Sequence, residues 1–248
     1  PPPPPPPPTH AIFFKQKTAS DLSLGLLGSE ICIRDSKKFD DFVAVSNLNM
    51  HVNKGEVLGF LGPNGAGKST TMNIISCILP ASSGSAKING FDTFEQSLEI
   101  RKIIGYLPET PPLYSDMIVS DYLNFAAGIR GVDTKRISSS VDRVIEKCSL
   151  KDVGHRIIGR LSKGYQQRVG LAQSMVHDPE ILILDEPTIG LDPIQIIEIR
   201  KLIQELTAEH TIILSSHILP EITQICKRTV NFGFYLRINL NTSFICFK

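Results

Sequence analysis

The sequence predicts an α/β fold built on a mostly parallel sheet, and three observations carry that prediction. The runs "EILILDEP" (Glu180–Pro187) and "TIILSSH" (Thr211–His217) are apolar without alternation, as strands buried on both faces are. Segments of helical period lie between such runs, so strands and helices alternate and the sheet is covered on both sides. The chain has 248 residues, 42% of them hydrophobic, which is enough to bury one large core.

Taken in order, the elements support this reading. Eight prolines open the chain, and such a run forms a polyproline II arm rather than a sheet strand. Residues 15–36 carry no helical or strand period of useful length, except that "EICIRDS" alternates and is expected to add as an edge strand. From Lys37 the pattern becomes regular. "FVAVSNLNMHV" (Phe42–Val52) alternates as a half-exposed strand, and "NKG" turns it towards the apolar strand "EVLGFL" (Glu56–Leu61). "TTMNIISCIL" reads as a helix stopped by Pro80, and "SGSAKINGFD" as a further strand and turn. "VSDYLNFAAGIRG" is a helix with Ser120 as its expected N-cap and Gly131 as its stop. In "TKRISSSVDRVIEKCSL", Ile137, Val141, Val144, Ile145 and Cys148 fall on one helical face. "PIQIIEIRKLIQELTAE" is a long amphipathic helix.

Two motifs carry chemistry. "GPNGAGKST", comprising Gly62, Pro63, Asn64, Gly65, Ala66, Gly67, Lys68, Ser69 and Thr70, matches G-x-x-x-x-G-K-[ST] between an apolar strand and a helix. Its glycines let successive N–H groups form one cup for phosphates. Lys68 reaches the β- and γ-phosphates, and the Ser69 hydroxyl ligates Mg²⁺. The following helix adds its N-terminal dipole. This is the core of a P-loop NTPase. "ILILDE" places Asp185 at a strand end, where it holds the Mg²⁺ shell, and Glu186 one step on, where it polarises an attacking water.

The set resembles the nucleotide-binding subunit of ABC transporters over roughly residues 37–228. "LSKGYQQR" stands where that family has LSGGQ, with Ser162 and Gly164 in matching places. The resemblance implies that this turn closes, in trans, over ATP held by a second subunit's glycine loop, so that ATP bridges a homodimer or a paired ABC subunit. It also implies that Phe39 stacks on adenine, that Asp192 in "IGLDP" faces the partner, and that His217 in "LSSH" contacts the γ-phosphate and orients Glu186. Glu109 in "IGYLPET" replaces the Gln of most members. It is charged and lacks an amide donor, but it can still ligate Mg²⁺ or a water. "IGYLPE" is similar to the branch that works with ABC-2-type permeases, which includes many exporters and the gliding-motility type.

The fold implied is a P-loop NTPase core with a mostly parallel sheet, an antiparallel β subdomain, and an inserted helical subdomain at about residues 110–168. The function implied is an ATPase peripheral at the cytoplasmic face of the membrane, powering an integral permease through a loop such as "TPPLYSDMIV". The alternative is a soluble ABC ATPase that moves no solute. Translation-factor types carry two such domains, chromosome-maintenance types carry a long coiled-coil insert, and a GTPase would carry N-K-x-D; the chain shows none of these features.

Bulk properties agree. A net charge of +1 argues against nucleic acid as a partner. Five scattered cysteines without a CxxC pair read as reduced thiols. No apolar run reaches the ~18 residues of a membrane span. The two ends depart from the family. "KQKTASDLSLGLLGSEICIRDS" resembles translated sequencing-adapter DNA, so residues 1–36 are expected to be a foreign, unstructured leader. Residues 229–248 do not continue the family pattern and read as a frameshifted tail that puts the last core strands in doubt.

Overall fold

The computed structural model describes residues 29–233 and 246–247. A four-stranded antiparallel sheet has the order β2-β1-β4-β5, formed by β1 (Ser29–Phe39), β2 (Phe42–Asn53), β4 (Ser83–Ile88) and β5 (Phe91–Asp92). The second sheet is parallel, with the order β10-β9-β3-β8-β7-β6. It comprises β3 (Val57–Leu61), β6 (Ile104–Leu107), β7 (Ile181–Leu184), β8 (Thr211–Ser216), β9 (Arg228–Phe232) and β10 (Cys246–Phe247).

The unbroken apolar runs have a physical cause in the two cores. Ile181, Ile183 and Ile213 pack with the antiparallel sheet and α1 (Lys68–Ile75). Leu182, Leu184, Ile212 and Leu214 point the other way, into the core shared with the helices α3 (Val119–Ile129), α4 (Ile137–Lys147), α5 (Lys163–Met175) and α6 (Pro193–Leu206). Neither face meets water, so neither face of these strands is polar. The short α2 (Ser97–Ile103) leads into β6, and α7 (Leu219–Ile225) follows β8.

Several expectations are corrected. "EICIRDS" adds to the sheet as its alternation suggests, as part of β1, which begins at Ser29. Its expected place is what changes: β1 is no edge strand, since it pairs with β2 on one side and β4 on the other. The alternation of "EICIRDS" supplies the reason, since Ile31 and Ile33 point inward and are buried. The rest of the expected leader, residues 1–28, lies outside the described residues. The doubt placed on residues after 228 is removed for 229–232, because β9 pairs in parallel with β3 and buries Val230 and Phe232; 234–245 and 248 lie outside the described residues.

Ser120 does not cap α3. The helix starts at Val119 after Ile118, with no side-chain cap, because the Val119 and Ser120 N–H groups donate to the carbonyls of Arg156 and Gly154. α1 ends at Ile75, well before Pro80. Cys77 takes a left-handed φ of 58°, and the Ile78 and Leu79 N–H groups fold back onto the Asn73 carbonyl.

Candidate functional site

The C-terminal ends of the parallel strands and the loop after β3 build one polar centre. Where the chain leaves β3 it passes Gly62, at which a Cβ would overlap the Phe232 carbonyl oxygen on β9. Gly65 and Gly67 take φ of 80° and 97°, and a Cβ on Gly67 would stand 2.6 Å from the Ala44 carbonyl oxygen. Gly62 therefore needs glycine for space, Gly65 for backbone, and Gly67 for both. Gly67 is also the N-cap of α1 and offers no capping side chain, so the first N–H groups of that helix face the loop uncapped.

Lys68 is buried. Its Nζ donates to the Gly62 carbonyl at 2.7 Å and the Pro63 carbonyl at 3.2 Å, and lies 3.3 Å from Glu186 Oε1. Glu186 is buried with a φ of 46°. Its Oε2 meets His217 Nδ1 at 2.8 Å, and because a carboxylate only accepts, that ring nitrogen carries the proton whenever Glu186 is ionised. Glu186 Oε1 is shut off from water and accepts no hydrogen bond. The Glu186 N–H donates to Ser215 Oγ at 2.8 Å, and Ser215 Oγ donates to Asp185 Oδ1 at 2.6 Å. Asp185 is anchored further by its N–H on the Leu107 carbonyl of β6.

A cavity of about 290 Å³ opens over this centre, lined by Phe39, Phe42 and Ala44 at the antiparallel sheet, by residues 64–70 of the glycine loop, and by Glu109 and Glu186. Phe39 ends β1, is 43% exposed, and has Lys37 Nζ 5.1 Å from its ring centre. A second cavity of about 400 Å³ adjoins it, lined among others by Ser69, Asn73, Tyr106, Glu109, Arg130 and Asp185. Tyr106 donates to Asn73 Oδ1 at 3.0 Å, and its phenol is pushed up first by burial and then by the nearby Asp185 and Glu109 carboxylates.

The donors around Ser69 suit a hard cation. Ser69, Asp185 and Glu109 share one cavity and offer only oxygen, as Mg²⁺ prefers. Among the described residues no cluster of three or more His, Cys, Asp or Glu side chains forms a protein cage for a metal. Such a site suits an ion that keeps waters and takes phosphate oxygens.

The other expected residues lie elsewhere. Ser162 is the exposed N-cap of α5, its Oγ accepting the Tyr165 N–H at 3.4 Å. Gly164 is buried beneath Gln195, whose Cδ would stand 2.7 Å from any added Cβ. Asp192 is exposed and caps α6, accepting the Ile194 and Gln195 N–H groups at 3.0 and 2.9 Å. Ser162, Gly164 and Asp192 line neither cavity.

A family model described as ABC transporter matches residues 45–189, more than half of the chain. The chain belongs to the ABC transporter family. Its match is to that family's ATP-binding domain, as its relatives' names make plain. It is 37% identical over 194 residues to the "Uncharacterized ABC transporter ATP-binding protein YxlF" of Bacillus subtilis, covering 78% of this chain and 64% of that protein. It is 40% identical over 192 residues to the "Bacitracin transport ATP-binding protein BcrA" of Bacillus licheniformis, covering 77% of this chain and 62% of that protein. This ABC chain thus spans just under two thirds of the length of those two relatives. Among solved structures it is similar to cbiO1 of Clostridium perfringens, described as part of the ABC transporter complex cbiONQ. That match has a TM-score of 0.74 at 29% identity, over 82% of this chain and 84% of that one.

Sequence reasoning missed two residues of this ABC site, Ser215 and Phe42. Ser215 joins Asp185 to the Glu186 backbone, yet a serine inside a buried strand carries no signal of its partner. Phe42 lines the glycine-loop cavity beside Phe39. The capping role of Asp192 was readable, because Asp followed by Pro is a helix-start signature. Among the described residues no helix is long and apolar enough to cross a membrane.

Proposed function

We propose that this chain binds Mg·ATP at the glycine loop and hydrolyses it, with Glu186 accepting the proton of the attacking water. The observation that carries the proposal is Glu186 Oε1: a buried carboxylate oxygen without a hydrogen bond, engaged only by the Lys68 ammonium at 3.3 Å, on a residue that lines the cavity of the glycine loop. Its partner oxygen is held by His217, so Oε1 has a fixed direction and becomes available to the water once Lys68 turns to phosphate. Lys68 and the uncapped start of α1 hold the phosphates, and Lys68 exchanges the Gly62 and Pro63 carbonyls for phosphate oxygens. Phe39 stacks on the base. Bound Mg²⁺ would supply positive charge against the charge that develops on the phosphates. Ser69, Asp185 and Glu109 are the residues that would hold it.

Ser162 and Gly164 act in trans. The Ser162 hydroxyl, which caps α5, is exposed and its proton is available to a nucleotide on a second subunit, and Asp192 caps α6 close by. The bound dimer drives a membrane permease from the cytoplasmic side. The finer reading, an ABC-2-type permease moving solute outward, is supported by "IGYLPE" around Glu109 and by the name of BcrA, a bacitracin transport protein.

Glu186→Gln tests both halves. It keeps shape but removes the base, so ATP remains bound, turnover falls at least a hundredfold, and size-exclusion chromatography with ATP gives a dimer. Adding Ser162→Arg returns a monomer. Unchanged turnover in Glu186→Gln overturns the base, and an ATP-independent monomer in both variants overturns the in-trans role.

A further inference from the structure

We infer that Glu221 is a positioning residue that locks His217 and the segment behind Glu186 into one arrangement; the inference rests on the hydrolytic reading above. Glu221 lies on α7, outside both cavities, and is 3% exposed. Its Oε2 accepts two hydroxyls, from Thr188 Oγ1 at 2.8 Å and from Ser216 Oγ at 2.7 Å. Thr188 stands two residues after Glu186, and Ser216 immediately precedes His217. Ser216 Oγ also accepts the Ile218 N–H at 3.0 Å, so both neighbours of His217 are tied to this point. One carboxylate oxygen therefore fixes the backbone on which each member of the Glu186–His217 pair is mounted.

The strand alternation of β8 makes this the second half of a clamp. Ser215 faces Asp185 and the Glu186 N–H, while Ser216 faces Glu221. The loop after β7 is thus held by the strand beside it on one side and by α7 on the other. A displacement of about 1 Å in such a pair costs about a hundredfold in rate. The 2.8 Å contact between His217 and Glu186 is the contact that such a shift would break.

The choice of a carboxylate calls for a cause beyond stability. A buried acid must lose its water, and an apolar residue of similar size often fills such a place at no loss. Glu221 has a cation beside it, since Arg200 Nη2 on α6 lies 3.4 Å from Oε1. Arg200 is itself incompletely satisfied. Its Nη1 donates to Gln224 Oε1 at 3.1 Å, and its buried Nε has no hydrogen-bond partner. The ion pair is therefore no ideal fork, and the well-made bonds of Glu221 are the two that point at the site.

The test is steady-state ATP hydrolysis by the full chain with Mg²⁺, with thermal unfolding and ATP binding recorded for each variant. Glu221→Ala is expected to lower kcat at least tenfold and leave KM for ATP within twofold. In a His217→Ala background the same substitution is expected to add less than twofold, because its effect passes through His217. Glu221→Gln, whose amide oxygen can accept both hydroxyls, is expected to recover most of kcat. Thr188→Val, nearly equal in volume, is expected to lower kcat where Thr188→Ser does not, and it tests the same bond should Glu221→Ala fail to fold.

Full multiplication of the Glu221 and His217 effects, a parallel rise in KM, or parent-like kcat in both Glu221→Ala and Thr188→Val overturns the inference alone. A parent chain without turnover, or one indifferent to Glu186→Gln, overturns the hydrolytic reading and this inference with it.

Discussion

Two buried carboxylates, one at each sheet, each leave one oxygen without a hydrogen bond: Glu186 Oε1 and Asp35 Oδ2. At the end of the parallel sheet, Glu186 Oε1 is paired with the Lys68 ammonium at 3.3 Å on a residue that lines a cavity, and the rest of its polar groups are bonded. In β1 of the antiparallel sheet, Asp35 follows Ile31 and Ile33 inward by strand alternation and is 3% exposed. Its Oδ1 accepts the Ser36 N–H at 2.8 Å, and Asp35 lines neither of the two cavities. Burial pushes its carboxyl above the ordinary value, against the pull of that N–H and of Lys37. The difference teaches that a buried charge points to function where its residue lines a cavity and a cation that a ligand can draw away stands beside it.

The largest expected effect sharpens the parallel-sheet side of the contrast. Lys68→Ala removes a charge-assisted contact to phosphate of roughly 1.5–3 kcal/mol. ATP binding measured by calorimetry should weaken about tenfold to a hundredfold on that scale. Equal affinity would mean that the Lys68–Glu186 contact is structural, like the Asp35 site.

The second tests whether every buried ionisable group near the parallel sheet serves the ligand. His177 Nε2 meets the Ile104 carbonyl at 3.0 Å, at the entrance to β6 and away from both cavities. Burial first, and then the Arg130 charge, lowers its pKa to about 4, against the raising effects of that carbonyl and Asp178. The neutral ring therefore contributes stability that is fully present above its ordinary value of 6.5 and is lost as pH falls through about 4. Denaturant unfolding of His177→Gln should be flatter across that window by roughly 1–3 kcal/mol, with ATP affinity unchanged at neutral pH.

The smallest acts on the antiparallel sheet. An acid with a raised folded pKa costs nothing below its ordinary value of 3.8, and its cost grows as pH rises through the folded value. Asp35→Val should therefore raise stability by about 1 kcal/mol at neutral pH, a gain that shrinks on acidification. ATP affinity should not move. A loss of stability would show that the Ser36 contact outweighs burial, and a change in affinity would tie β1 to the site more closely than Phe39 alone does.

Much of this architecture was legible because it rests on local rules. The apolar runs of β7 and β8 needed two dry faces, and the two cores supply them. The glycine loop announced its own left-handed turns. The position of β1 was not legible, since alternation reveals that a strand has an inner face but not which neighbours it takes. Nor could the sequence tell Ser215 from Ser216, because two adjacent hydroxyls at a strand end face opposite partners that only folding brings near. Glu221 looked like an ordinary acid in the first turn of a helix. Its burial depends on α6, and on a loop some thirty residues upstream in sequence.

The left-handed backbone of Glu186 carries an evolutionary consequence. At a φ of 46° glycine is at ease, while a side chain with a Cβ holds the same turn under strain of order 1 kcal/mol. Mutational drift judged by folding alone would thus carry codon 186 towards glycine and release the strain, at the loss of the carboxylate. Under the proposed hydrolytic role, selection on turnover opposes that drift, so a lineage relieved of the need for turnover should erode first at this position, while its fold grows no weaker.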